Sequence, residues 1–125
     1  MRKRLVVIGG VAAGASAAAR ARRMNEDTEI VLVEAGPYIS YANCGLPYFV
    51  GGEIDERNRL FVVEPRHFAH RFQLEVRTNT RATALEVSER RVVLTGPDGE
   101  VDRLSYDRLI LATGSSPVIP ALPGI

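Results

Sequence analysis

RLVVIGGVAAGASAAARARRM, residues 4–24, must contain both a strand and a helix, and its three glycines decide where one ends and the other begins. Leu5 to Ile8 are bulky or β-branched and suit a strand buried on both faces. Gly9, Gly10 and Gly14 would each cost about 1 kcal/mol inside one continuous apolar helix. A strand, a tight turn and an alanine-rich helix from about Ala13 to Met24 fit better, with a turn at Asn25–Asp27 ending the helix. EIVLVE, residues 29–34, follows as a second buried strand, which makes the whole a β-α-β unit.

The same stretch imitates a secretory signal, because Arg2, Lys3 and Arg4 precede an apolar run rich in small residues. The β-branched start and the interrupting glycines argue against that reading. A chain of 125 residues fits one domain of modest size or part of one. With 46% apolar residues, 25% charged residues and a net charge of +1, nothing electrostatic calls for nucleic acid or an anionic membrane as partner. Cys44 is the only cysteine, so no internal disulfide framework exists and no Cys/His cluster has the spacing of a structural zinc site. The cytoplasm is the expected compartment.

GGVAAG, residues 9–14, has the mechanics of a dinucleotide turn. Gly9 permits the tight turn, Gly14 permits close packing of helix on strand, and the helix N-terminus faces a pyrophosphate. The middle glycine of that fingerprint is missing, and Val11 occupies its place. Glu34 repairs much of the loss, since it ends the second strand about 20 residues after Gly14, where a carboxylate accepts hydrogen bonds from an adenosine ribose. The competing reading of Glu34 is an exposed strand-end carboxylate.

Beyond residue 35 the texture changes. A short helix is expected at Pro65–Phe72, then strands near 74–77, 82–87, 90–95 and 100–104, with the turn TGPDGE between the last two, forming a small β-meander. DRLILATGSSP, residues 107–117, is a final buried strand that opens into Thr113–Gly114 and a proline-interrupted tail. A nicotinamide-binding dehydrogenase would instead continue with alternating strands and helices.

SYANCGLPY, residues 40–48, holds Cys44. A lone cysteine is by default a small buried hydrophobe. If GLPYFVG, residues 45–51, forms a helix, its unpaired N–H groups and dipole would stabilise a thiolate at its start and make Cys44 a nucleophile near neutral pH. Ser16, Arg20 and Arg23 fall at i, i+4 and i+7 on one face of the first helix, which suits either a phosphate-binding stripe or a solvated surface. His67, His70, Arg57–Arg59 and Arg90–Arg91 are read as solvated surface and turn residues.

Taken together, the Gly-rich β-α-β unit, the acidic second-strand end, the meander and the ILATGSSP strand end resemble the FAD domain of the flavoprotein pyridine nucleotide-disulfide oxidoreductases. Within that family, glutathione and lipoamide reductases place a second cysteine five positions on, where this chain has Phe49. PYISYANCGLPYFVGG, residues 37–52, is similar to the single-cysteine coenzyme A-disulfide and coenzyme A-persulfide reductases. Ala12 and Asn43 point the same way, because the related NADH oxidases and peroxidases typically have histidine and serine there.

The resemblance implies an α/β fold, a Rossmann-like FAD/NAD(P)-binding three-layer (ββα) domain with a small β-meander. It makes residues 1–125 the N-terminal segment of an FAD-binding domain and 115–125 a linker toward an NAD(P)H-binding domain that this sequence lacks. It implies FAD as cofactor, NADH or NADPH as electron donor, and coenzyme A disulfide or persulfide as substrate, in a homodimer without nucleic acid or membrane partners. The FAD contacts it implies are Gly9, Val11, Ala12, Ala13, Gly14, Glu34, Asn43, Ala82, Ala112, Thr113 and Gly114. Cys44 becomes the redox residue, and Ser16, Arg20, Arg23, Ser40, Asn43 and Arg71 become substrate contacts, with Phe72 departing from a lysine that some similar enzymes have close by. Two alternatives stay open: an oxidase or peroxidase working through a Cys44 sulfenic acid, and a nucleotide-binding module without turnover. This segment alone is expected to be inactive, for want of a nicotinamide site.

Overall fold

A computed structural model describes residues 2–124. Strand β1 (Arg4–Ile8), helix α1 (Ala12–Met24) and strand β2 (Glu29–Val33) form the expected β-α-β unit, with β1 and β2 parallel and paired from Arg4–Glu29 to Ile8–Val33. A 3₁₀ turn at Asn43–Gly45 runs into a short helix, α2 (Leu46–Val50), and a longer helix follows as α3 (Pro65–Phe72). The remaining strands are β3 (Glu75–Arg77), β4 (Arg81–Glu86), β5 (Arg91–Thr95), β6 (Val101–Ser105) and β7 (Arg108–Leu111).

Four strands form a parallel sheet in the order β3-β2-β1-β7, and β4-β5-β6 form a separate antiparallel sheet. This corrects one expectation. The strand expected near 74–77 does not join the meander: β3 pairs parallel with β2, because α3 carries the chain over the sheet as a crossover before β3 enters. The final strand is also shorter and less buried than expected: as an edge strand it leaves Leu109 and Ile110 half-buried and Leu111 exposed, pairing stops at Leu111, and the tail from Thr113 is exposed, its last residue Ile125 lying outside the described residues.

The central strands β1 and β2 are covered on both faces, which explains why they read as continuous apolar runs. Val7, Ile30 and Leu32 pack toward α1 and α3 against Ala15, Ala18, Ala19, Ile39 and Phe68. Val6, Ile8, Val31 and Val33 point the other way, against Val92, Leu94 and Leu104 of the meander. Alternate residues of β1 and β2 therefore serve two cores, and the alanines of α1 let that helix lie close to the sheet.

Arg77 ties the two sheets at their edges, its guanidinium donating to Glu75 at 2.6 Å and to Asp102 of β6 at 2.8 Å. Partial burial works against the Arg77 charge, but the hydrogen bonds to Glu75 and Asp102 outweigh it and raise its affinity for the proton. The same hydrogen bond from Arg77 holds the Asp102 carboxyl below its ordinary range.

Candidate functional site

In the parallel sheet the chain leaves β1 toward β2 on one side and returns to β7 on the other, so the strand order reverses between β1 and β7. A crevice opens at the carboxyl ends of strands at such a reversal, and ligands of open α/β sheets bind there. Gly9 lies at that point with φ +97, in the left-handed region, its N–H donating to the Val33 carbonyl at 2.8 Å. A Cβ on Gly9 would overlap the Ala112 carbonyl, and a Cβ on Gly14 would overlap the carbonyl of Gly9. Both glycines are thus required for close approach, as the sequence implied. Ala112 is held against the turn by its N–H, which donates to the Ile8 carbonyl at 2.7 Å, and Thr113 and Gly114 lead outward from it.

The N-terminus of α1 carries no side-chain cap from Val11 and no acidic residue in its first turn, while Ala12 and Ala13 are exposed. Its unpaired amides and dipole present a bare, positively polarised end, suited to a pyrophosphate. Glu34 follows directly after β2 and is held by two amides: Oε2 accepts from Gly10 at 2.7 Å and Oε1 from Gly36 at 2.8 Å. Each oxygen keeps a lone pair for a ribose hydroxyl. Glu34, Val11, Gly36, Tyr38, Tyr41 and Arg57 line a cleft of about 330 Å³. Nearby, the Asn79 amide donates to the Gly36 carbonyl at 2.9 Å and the Thr80 amide to the Glu34 carbonyl at 3.0 Å, which brings half-buried Ala82 on β4 toward the same end of the sheet. These residues fit a dinucleotide.

Gly10 is a candidate site residue that sequence reasoning passed over. Its amide anchors Glu34, and a Cβ there would come within 2.7 Å of Ile39 Cγ2. The doublet Gly9–Gly10 is the signal that was available.

Cys44 is exposed, at the centre of the 3₁₀ turn before α2. The turn is pinned from below: the Ala42 amide donates to the Leu60 carbonyl at 2.7 Å, and a Cβ on buried Gly45 would meet Leu60 Cδ2 at 2.9 Å. The amides expected to face the sulfur are engaged within the turn, which is a correction to the sequence reading. Gly45 donates to the Ala42 carbonyl, Leu46 donates to the Asn43 carbonyl, and Pro47 has no N–H to offer. A 3₁₀ turn consumes its own donors before the α-helix begins.

Ser40 links the thiol loop to the glycine turn, since its amide donates to the Gly10 carbonyl at 2.9 Å and its carbonyl accepts from Val62 at 2.9 Å. It adopts φ +46, a left-handed conformation that only surrounding structure maintains in a serine. Asn43 is exposed beside Cys44.

Ser16, Arg20 and Arg23 all lie exposed on α1. The structure brings Arg71 of α3 near that stripe, because the Arg23 and Arg71 guanidinium carbons lie 5.7 Å and 5.8 Å from the centroid of the Phe72 ring. Arg57 is exposed at the start of a 3₁₀ turn, as expected, and its guanidinium also has aromatic partners. It stacks on Tyr38 at 5.3 Å and Phe61 at 5.8 Å, and the two rings lie 4.6 Å apart. His67 and His70 are exposed on α3, as expected. Among the described residues no group of His, Cys, Asp and Glu is placed to hold a metal ion, and no helix is long and apolar enough to cross a membrane.

Comparison with known proteins agrees with this geometry. A solved structure of reduced Bacillus anthracis CoADR-RHD superposes with a TM-score of 0.94 at 42% identity, covering 99% of this chain and 22% of that one. The NAD-dependent persulfide reductase from A. fulgidus gives 0.89 at 41% identity, over 95% of this chain and 22% of that one. The coenzyme A disulfide reductase of Staphylococcus haemolyticus is 35% identical over 114 residues, 90% of this chain and 26% of that protein. The chain thus spans about a quarter of the length of these relatives. Residues 3–125 match the family model for pyridine nucleotide-disulphide oxidoreductases, and the chain belongs to that family.

Proposed function

We propose that this chain is the FAD-binding segment of an NAD(P)H-driven reductase of coenzyme A disulfide or persulfide, with Cys44 as its redox residue. The observation that carries the reading is the join at Ser40, which ties the loop bearing an exposed, unpaired thiol to the Gly9–Gly10 turn of a dinucleotide crevice. Phe49 leaves no second thiol on α2, so the other sulfur of the exchange comes from the substrate.

Gly9 and Gly14 keep the crevice open, the α1 amides with Val11, Ala12 and Ala13 face the pyrophosphate, and Glu34 takes the ribose. Asn43, Ala82, Ala112, Thr113 and Gly114 complete the proposed FAD contacts. Bound FAD, charged by NADH or NADPH, would supply the electron pair that reduction of a disulfide requires. The Cys44 thiolate attacks one sulfur of coenzyme A disulfide, forming a Cys44–coenzyme A disulfide while the substrate S–S bond breaks and coenzyme A leaves as a thiolate that takes up a proton. Ser40 and Asn43, on the loop that carries Cys44, would contact the substrate near the sulfur, and Ser16, Arg20, Arg23 and Arg71 would meet the phosphates of the nucleotide end.

Two outcomes test the binding roles. Glu34→Ala should weaken FAD by about 1–3 kcal/mol, because it removes charge-assisted hydrogen bonds to the ribose. It also frees the Gly10 and Gly36 amides, so Glu34→Gln, which keeps an acceptor for one of them, should lose less. Flavin fluorescence titration reads both, and equal affinity in wild type and Glu34→Ala would place the dinucleotide elsewhere. Replacing Arg20 and Arg23 together by alanine should slow attack of Cys44 on coenzyme A disulfide by about tenfold at limiting substrate and leave its attack on a small disulfide without phosphates unchanged. Stopped-flow thiol kinetics distinguishes the two, and equal slowing would assign the arginines to general stability.

A further inference from the structure

We infer that Arg22 is a positioning residue for the substrate: it locks the ends of α1 and α3 together so that Phe72 gathers Arg23 and Arg71 into a phosphate clamp. The inference rests on the coenzyme A reading above and gives that site its specificity.

Arg22 differs from its neighbours in the stripe. Arg20 and Arg23 are exposed, whereas Arg22 is half-buried and bonded to four backbone carbonyls from two helix ends. Nε donates to Phe72 at 2.9 Å and Nη2 to Gln73 at 2.8 Å, while Nη1 donates to Asn25 at 3.2 Å and Glu26 at 2.6 Å. The last carbonyls of a helix have no partner within it and carry partial negative charge, so a guanidinium satisfies both chemistry and dipole. Only a rigid planar fork does this for two segments at once; an ammonium group has no such geometry.

The consequence falls on Phe72. Its backbone is held by Arg22, its ring packs on Phe68 with centroids 4.8 Å apart, and Gln73 turns the chain away at φ +47. The ring is therefore a fixed surface, and the guanidiniums of Arg23 and Arg71 both rest against it. Like charges gathered on one ring repel each other. No carboxylate forms an ion pair with either arginine among the described residues, so nothing in the chain offsets their mutual repulsion. An arrangement of held cations without an anion calls for a ligand carrying closely spaced phosphates, and the nucleotide end of coenzyme A has that chemistry.

Calorimetric titration of the purified protein with coenzyme A and with pantetheine, which lacks the nucleotide, tests this. Wild type should bind coenzyme A more tightly by at least about tenfold. Arg22→Met and Phe72→Leu should each erase most of that ratio while pantetheine binding stays unchanged, and Phe72→Tyr, which keeps the ring, should restore it. A merely structural role for Arg22 would lower both ligands together. If Arg22→Met does not fold, Phe72→Leu against Phe72→Tyr decides. Retention of the wild-type ratio in a folded Arg22→Met or in Phe72→Leu overturns the positioning role. No ratio in wild type overturns instead the assignment of coenzyme A to α1.

Discussion

Cys44→Ser should retain the fold and the affinity for FAD and lose every trace of covalent exchange with coenzyme A disulfide. Serine is nearly isosteric, and the turn that presents residue 44 is held by Ala42, Gly45 and Leu60, none of which depends on the sulfur. A hydroxyl is neither ionised near pH 7 nor able to form a mixed disulfide, so the loss should be complete. Wild type mixed with coenzyme A disulfide should gain one coenzyme A per chain by mass spectrometry, and dithiothreitol should remove it. Because the N–H groups of the turn donate to its own carbonyls, reactivity cannot be credited to them, and the rate of adduct formation with and without bound FAD measures what the cofactor's presence adds. An adduct of equal yield in the serine variant, or none in wild type, ends the proposal. Oxidation of Cys44 by peroxide to a stable sulfenic acid, with no adduct, transfers the chain to the oxidase and peroxidase branch.

Gly14→Ala should be the most damaging substitution to the fold. The added Cβ falls on the carbonyl of Gly9, a backbone atom that cannot rotate away, and has the Val7 side chain at 3.2 Å behind it. Helix α1 must move off β1, opening the core that Val7, Ala15 and Ala18 fill, with a cost of about 3 kcal/mol or more. Gly52→Ala is the control: it has φ +83 and nothing within 4 Å, so it carries only the backbone penalty of about 1–2 kcal/mol. Chemical denaturation should rank Gly14→Ala well below Gly52→Ala, with FAD binding lost in the former alone. Equal stability of the two variants would mean that α1 does not pack on β1 as described.

Legibility in the sequence followed the distance over which each feature is decided. The β-α-β unit, the tight turn at Gly9, the close packing at Gly14, helix α3 and the antiparallel meander were all readable, because periodicity and glycine's steric freedom act over a few residues. The exposed stripe of Ser16, Arg20 and Arg23 was readable for the same reason, and family resemblance supplied the chemistry proposed for Cys44. What tertiary structure alone decided lies between residues far apart in the chain. The seat of β3 in the parallel sheet depends on a crossover through α3, which a run of alternating residues does not disclose. Glu34 meets Gly10 across 24 positions, and Arg22 reaches Phe72 across 50. Arg57 stays exposed as its local sequence implies, but its stacking on Tyr38 and Phe61 arises only when those distant rings are folded beneath it. Local sequence specifies which hydrogen-bonding and apolar groups a segment carries; the packing of distant segments selects their partners, because burial forces each polar group to find one.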